Sequence, residues 1–311
     1  MTDRAHPLIA IVGPTGSGKS ALALRLGREL SGEIVSCDSL QVYRGLDLGS
    51  AKATAAERTE VRHHMLDVVD PGEEFSAAEY ARQGRRALVE IAARDRLPLV
   101  AGGTGLYLKA LLQGLFEGPA RNAPLRRRLE ALAERHGDGR LHRLLGRVDP
   151  ESATRLAARD RVRVIRALEV FWTTGRPLTA LHREGAVPLQ GFATLVLGLA
   201  PDRADLRLRI ERRAREMFDG GLLDEVRALL DRGLSPDVRP LRAIGYRQAV
   251  AVVSGRQSRE DAQRETVAET LRFAKRQMTW FRHQAQVTWY SDADAAAQGV
   301  QGWLKDTRVR S

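Results

Sequence analysis

The stretch Leu8-Ile-Ala-Ile-Val-Gly-Pro-Thr-Gly-Ser-Gly-Lys-Ser20 decides the fold. Its first five residues, Leu8 to Val12, are a short apolar run that reads as a strand buried on both faces. They lead directly into Gly13 to Ser20, which matches G-x-x-x-x-G-K-[ST] in full. Leu22, Leu24, Leu26 and Leu30 then supply the apolar face of a helix. Strand, glycine-rich loop and helix in this order make a phosphate cradle. The glycines let backbone N–H groups turn onto phosphate oxygens, and the helix N-terminus adds partial positive charge. The predicted phosphate-binding set is therefore Gly13, Pro14, Thr15, Gly16, Ser17, Gly18, Lys19 and Ser20. Lys19 reaches the bridging and terminal oxygens, and the Ser20 hydroxyl is placed for Mg²⁺.

Working outward, further apolar runs alternate with helical patterns. Ile34 to Cys37 ends in Asp38-Ser39, and Leu97 to Ala101 ends in Gly102-Gly-Thr-Gly105. A helical pattern covers Ala77 to Arg94 between them. Phe192 to Leu199 and Gln286 to Tyr290 predict two more strands. Helical patterns run from Arg203 to Gly220, Leu222 to Gly233, Leu241 to Ser254 and Glu260 to Arg282. Alternation of this kind predicts an α/β fold, a P-loop-type parallel sheet flanked by helices. Ligands of such sheets sit beyond the carboxyl ends of the strands. The phosphate loop, Asp38 and Thr104 all lie at those ends, so one crevice is expected to hold all three.

Residues 119–190 differ in texture: short amphipathic helices carry 15 arginines against eight acids, without strand-type runs. They read as a helical insertion domain in a core formed by residues 1–118 and 191–311. The net charge of +11 is unevenly placed. Residues 1–117 hold 14 Lys+Arg against 15 Asp+Glu, and the remainder holds 36 against 24. A single-substrate enzyme has no need of that asymmetry, whereas a nucleic-acid surface does. No apolar run approaches the roughly 20 residues of a membrane span. No signal-peptide pattern opens the chain, and the single Cys37 excludes an intrachain disulfide. A cytoplasmic protein is expected. The adjacent pair His63-His64 lacks a third spaced ligand and reads as structural rather than zinc-binding.

The loop alone does not name its phosphates. Nucleotide-hydrolysing proteins usually add an apolar strand ending in a carboxylate that supports Mg²⁺, and here Leu97 to Ala101 ends in Gly-Gly-Thr. Assignment to ATP stays open on these residues.

Other segments occur in a specific order: Asp38-Ser-Leu-Gln-Val-Tyr-Arg-Gly45, Gly49-Ser-Ala-Lys52, His63-His-Met-Leu-Asp67 and Gly102-Gly-Thr-Gly-Leu-Tyr107. Arg166-Ala-Leu-Glu-Val170, Arg242-Ala-Ile-Gly-Tyr-Arg247 and Lys275-Arg-Gln-Met-Thr-Trp280 follow. With the phosphate loop, this series closely resembles the bacterial tRNA dimethylallyltransferases, also called tRNA isopentenyltransferases, over nearly the whole chain. The C-terminal zinc-finger extension of the eukaryotic members is missing from it. The resemblance implies that the loop holds the diphosphate of dimethylallyl diphosphate. It further implies that the dimethylallyl group moves to N6 of the adenosine beside the anticodon. The implied partners are that donor and the tRNA anticodon stem-loop, with Mg²⁺ as cofactor, for a monomer that engages no membrane.

The resemblance also implies roles. Asp38 would accept the N6 proton, with Thr104 and Lys19 as further catalytic residues and Arg213 as a second cation on the diphosphate. Contacts to tRNA are implied for Asp38, Ser39, Leu40, Gln41 and Thr104, Gln41 filling the space left when the adenosine swings out of its loop. They are implied too for Arg126 (or, by register, Arg127 or Arg128), for Val162, Arg163, Val164, Ile165 and Arg166, and for Arg242, Ala243, Ile244, Gly245, Tyr246 and Arg247. Two rival readings share the loop: an adenylate isopentenyltransferase acting on free nucleotide, and an RNA-binding P-loop ATPase or kinase.

Overall fold

In Leu8–Val12 successive side chains face opposite sides of one sheet, and both sides are apolar. Leu8, Ala10 and Val12 enter one core cluster while Ile9 and Ile11 enter another. That is why the run shows no polar alternation. A computed structural model describes residues 5–116, 118–119 and 121–309 of the chain. By contact it divides into two units, Met1–Leu112 with Leu189–Ser311, and Gln113–Pro188.

The first unit is built on six strands: β1 (His6–Val12), β2 (Gly32–Ser36), β3 (His63–His64), β4 (Leu97–Gly102), β5 (Phe192–Leu199) and β6 (Thr288–Tyr290). All pair in parallel, in the order β3-β2-β4-β1-β5-β6. The expected α/β class with a parallel sheet is borne out. The helices before the second unit are α1 (Lys19–Glu29), α2 (Ala55–Glu60), α3 (Ala77–Ala92) and α4 (Gly105–Gln113). Leu22 and Leu26 of α1 pack on the Ile9–Ile11 side, and Tyr80, Leu88 and Ile91 of α3 pack on the other.

Among its described residues the second unit holds five helices: α5 (Ala123–His136), α6 (Asp138–Val148), α7 (Pro150–Arg155), α8 (Arg161–Thr174) and α9 (Leu178–Arg183). Leu129, Leu141, Leu145, Val164, Ile165 and Leu168 form its own apolar core. Buried Asp149 knits it together by accepting from the N–H of Ser152 and from both the N–H and hydroxyl of Thr179.

After β5 come α10 (Arg203–Asp219), α11 (Leu222–Asp231), α12 (Tyr246–Val253), α13 (Arg259–Gln284) and, beyond β6, α14 (Ala293–Val309). A helix was expected to start at Leu241. Instead Arg239–Arg242 makes one 3₁₀ turn, and α12 begins only at Tyr246. Gly245 at φ +90° lies in the left-handed region and interrupts the helical run. No helix among the described residues is long and apolar enough to cross a membrane.

Candidate active site

The phosphate loop leaves β1 at Gly13 and enters α1 at Lys19. Gly18, the residue before the helix, sits at φ +94°, a conformation a side chain would strain. Lys19 turns back on its own loop and donates to the Pro14 carbonyl at 3.3 Å. From α10, Arg213 donates to the Thr15 hydroxyl at 2.9 Å, and one turn earlier Arg209 donates to the Ser17 carbonyl at 3.3 Å. Three cations therefore converge on one loop, with Asp38 the opposing charge. Burial and the like charge of Arg213 bring the Lys19 ammonium down to about 8, against an upward pull from Asp38. Burial lowers Arg213 too. A site that strains its cations in this way is built to receive an anion.

The loop after β2 carries Asp38, whose carboxylate accepts from the Leu40 N–H at 2.8 Å. The loop after β4 carries Thr104, and the two are joined. Thr104 donates its N–H to the Cys37 carbonyl at 3.1 Å, and its hydroxyl accepts from the Ser39 N–H at 3.0 Å. The approach requires glycine: a Cβ on Gly102 would stand 2.1 Å from the Cys37 carbonyl oxygen. Below them burial pushes the Cys37 thiol up to about 12, so it stays a neutral core residue. Tyr80 supports the floor by donating to the Ser36 carbonyl at 2.9 Å.

A cavity of about 430 Å³ opens between these loops, lined by Thr15, Lys19, Ser20, Asp38, Ser39, Leu40 and Gln41. Arg213, Arg242, Ala243 and Ile244 line it as well. The crevice expected beyond the strand ends thus brings together Thr15, Lys19 and Ser20 of the phosphate loop, Asp38 and part of the Arg242–Arg247 segment. Thr104, expected there as well, is not among the lining residues and is instead bonded to Ser39, which is. Its lining carries five cationic side chains, Lys19, Arg213, Arg239, Arg242 and Arg276, against the one carboxylate of Asp38. Such an imbalance selects a ligand of multiple negative charge. Ser20 is exposed at the first turn of α1. No group of three His, Cys, Asp or Glu side chains able to hold a metal occurs among the described residues. A divalent ion here would take most of its ligands from phosphate oxygens and water, as Mg²⁺ characteristically does. The donor set fits Mg²⁺ on a diphosphate.

Several expected contacts fall elsewhere. Arg126 is held by Glu169 at both ends of its fork, at 2.8 and 2.9 Å, and Arg166 donates to the same carboxylate at 2.7 Å. Burial would raise the Glu169 carboxyl, yet the hydrogen bonds from Arg126, Arg166 and the Asn122 N–H hold it at about 2. The contact expected of Arg126 thus meets a guanidinium committed to the core of the second unit, whereas Arg127 and Arg128 are exposed. Val162 and Arg163 are exposed, but Val164 and Ile165 are core residues and present no side chain outward. Tyr246 is fully buried and donates to Glu225 at 2.6 Å, while Arg247 pairs with Glu269 at 2.6 Å. Gln41 is tied at both ends of its amide, accepting from the Ser36 hydroxyl and donating to the carbonyls of Ser50 and Ala51. It anchors its loop here and does not reach out as a wedge. His64 sits against Glu33 at 2.6 Å on the sheet edge.

Sequence reasoning missed Arg209, Arg239, Phe273, Arg276 and Gln277. The helical spacing of Arg209 and Arg213 was a usable signal, since i and i+4 share a face. Arg239 and Phe273 reach the cavity through chain reversals that no local pattern records, while Arg276 and Gln277 belong to the Lys275–Trp280 segment, whose role the local pattern does not state.

The IPP transferase family model matches residues 41–284. A tRNA dimethylallyltransferase of Solibacter usitatus is 49% identical over 92% of this chain and 93% of its own length. The crystal structure of a tRNA isopentenylpyrophosphate transferase from Bacillus halodurans superposes with a TM-score of 0.70 at 37% identity, covering 97% of this chain and 96% of that one. A eukaryotic dimethylallyltransferase, described as acting on tRNA, gives a TM-score of 0.76 at 26% identity, over 93% of this chain and 75% of its own. Phosphate loop, cationic cavity and relatives agree across most of the sequence, and the chain belongs to the IPP transferase family.

Proposed function

We propose that this chain transfers the dimethylallyl group of dimethylallyl diphosphate to N6 of the adenosine on the 3′ side of the tRNA anticodon. The observation that carries the reading is the single cavity in which Lys19 and Arg213 face Asp38. The cations suit a diphosphate leaving group and the carboxylate suits an amine nucleophile. The adenine amine attacks the allylic carbon bearing the diphosphate, the carbon–oxygen bond breaks, and diphosphate leaves with the bonding electrons. Asp38 holds the amine by hydrogen bonding and takes the proton that the new C–N bond displaces. Lys19, Arg213 and the loop N–H groups stabilise the charge that builds on the departing oxygens. Mg²⁺, when bound, would add to that neutralisation, with the Ser20 hydroxyl as its protein ligand. Thr104 fixes the Asp38 loop through Ser39, a role its hydrogen bonds support directly.

On the acceptor side, exposed Arg127, Arg128, Arg163 and Arg242 supply phosphate contacts, which position RNA without reading its sequence. Removing the adenosine from its stack is required before N6 can reach Asp38. One assay separates this reading from its rivals. The protein is incubated with Mg²⁺ and dimethylallyl diphosphate, and offered unmodified tRNA or AMP, with ATP alone as a third arm. N6-dimethylallyladenosine in the tRNA arm is expected. Prenylation of AMP but not tRNA would assign the chain to free nucleotides, and ATP hydrolysis without transfer would make it an ATPase.

A further inference from the structure

α13 sends one buried side chain between two strand-end loops. The Gln277 Oε1 accepts from the Thr15 N–H at 2.9 Å, and its Nε2 donates to the Gly103 carbonyl at 2.9 Å. Thr15 belongs to the phosphate loop that follows β1, and Gly103 to the turn after β4 that leads into Thr104. The β1–β4 ladder ends at Val12 and Gly102, and beyond that point Gln277 makes the link. Gly103 leaves room for it: a Cβ there would lie 2.2 Å from Nε2. From Gly103 the connection continues without a gap. Thr104 bonds to the Cys37 carbonyl and the Ser39 N–H, the two neighbours of Asp38.

We infer that Gln277 is a positioning residue that sets the separation between the diphosphate cradle and the Asp38 side of the cavity. Only a neutral amide serves here. Its oxygen meets a donor and its nitrogen meets an acceptor, whereas an ionised carboxylate would repel the Gly103 carbonyl and an apolar side chain would leave both groups unpaired. Transfer needs the allylic carbon and the amine in near-contact geometry, and a displacement on the order of 1 Å costs roughly 10²-fold in rate. Which substrate stands on each side rests on the function proposed above. The bridge itself does not.

Gln277→Met keeps length and removes both hydrogen bonds. Its kcat is expected to fall by roughly 10²-fold, with KM for donor and for tRNA within about threefold of the parent. Hydrogen exchange of the free protein is expected to quicken in both segments, Thr15–Gly18 and Gly103–Thr104. A kcat within about threefold of the parent, or faster exchange in only one segment, would overturn the inference. A paired test separates positioning from folding. Gly103→Ala drives a methyl into the amide, and adding Gln277→Ala removes that clash without restoring the bridge. Recovered thermal stability with kcat still low is expected; recovery of both would overturn it. Exchange needs no substrate, so a parent enzyme that modified no tRNA would sink the proposed function and still leave the bridge tested.

Discussion

Lys19 and Asp38 face each other across the cavity with opposite requirements, and each supports its own expectation. The Lys19 ammonium, brought from 10.5 to about 8 by burial and Arg213, loses its proton in the free enzyme as pH rises through 8. Binding of an anion needs the charged form, so KM for the donor is expected to climb above pH 8, toward about tenfold per unit. Lys19→Met should raise that KM at pH 7 and flatten the profile, a result read from initial rates at fixed tRNA. Asp38→Ala is expected to lower kcat by roughly 10²–10⁴-fold, the range of a general base, while tRNA affinity by filter binding changes only a few-fold. A collapse of affinity would make Asp38 chiefly a binding residue. Both residues were legible in the sequence because strand-end loops carry their identity locally. Gln277 was not, since its partner carbonyl lies 174 positions away.

At the scale of elements, α5 and α8 are clasped by a carboxylate that the sequence reading passed over. Glu169, fully buried on α8, receives Arg126 from α5 and Arg166 from its own helix. Its carboxyl lies below the ordinary 4.5, at about 2. The stability it contributes is therefore complete above pH 4.5 and lost as pH falls from there through 2. Glu169→Gln should flatten thermal melts across that window. Glu169→Ala is expected to cost about 2–3 kcal/mol, below the roughly 3–5 of a fully buried pair, because the arginines stay partly solvated. Between β2 and β4, Gly102→Ala should be harsher than its size suggests. The methyl meets backbone rather than a side chain that can move aside, so the upper end of roughly 1–3 kcal/mol is expected. The strands were readable from β-type apolar runs, except β3, which at two residues is too short to show a period. The start of α12 was misjudged because the apolar pattern at Leu241 continues across Gly245, and pattern cannot reveal a positive φ.

Across the whole molecule, charge separates the two substrates. The excess of +12 beyond residue 117 is a property of the sequence, and the five cations lining the cavity are a property of the fold. On the proposed function, exposed arginines of that excess such as Arg127 and Arg128 would serve a long polyanion, and Lys19 and Arg213 in the cavity a compact one. Arg127→Glu with Arg128→Glu is expected to raise KM for tRNA roughly tenfold and to shallow the salt dependence of tRNA binding by about one to two in log–log slope. KM for the donor should not move. The sheet order was beyond the sequence, because every parallel crossover brings together strands that local pattern treats as independent. The most direct measurement concerns what the phosphate loop holds. Calorimetric titration with a non-reactive dimethylallyl thiodiphosphate and with ATP, each with Mg²⁺, is expected to show one analogue bound per chain, displacing any ATP and lost in Lys19→Met. ATP binding more tightly than the analogue and resisting its displacement would contradict the assignment of this loop to a prenyl diphosphate.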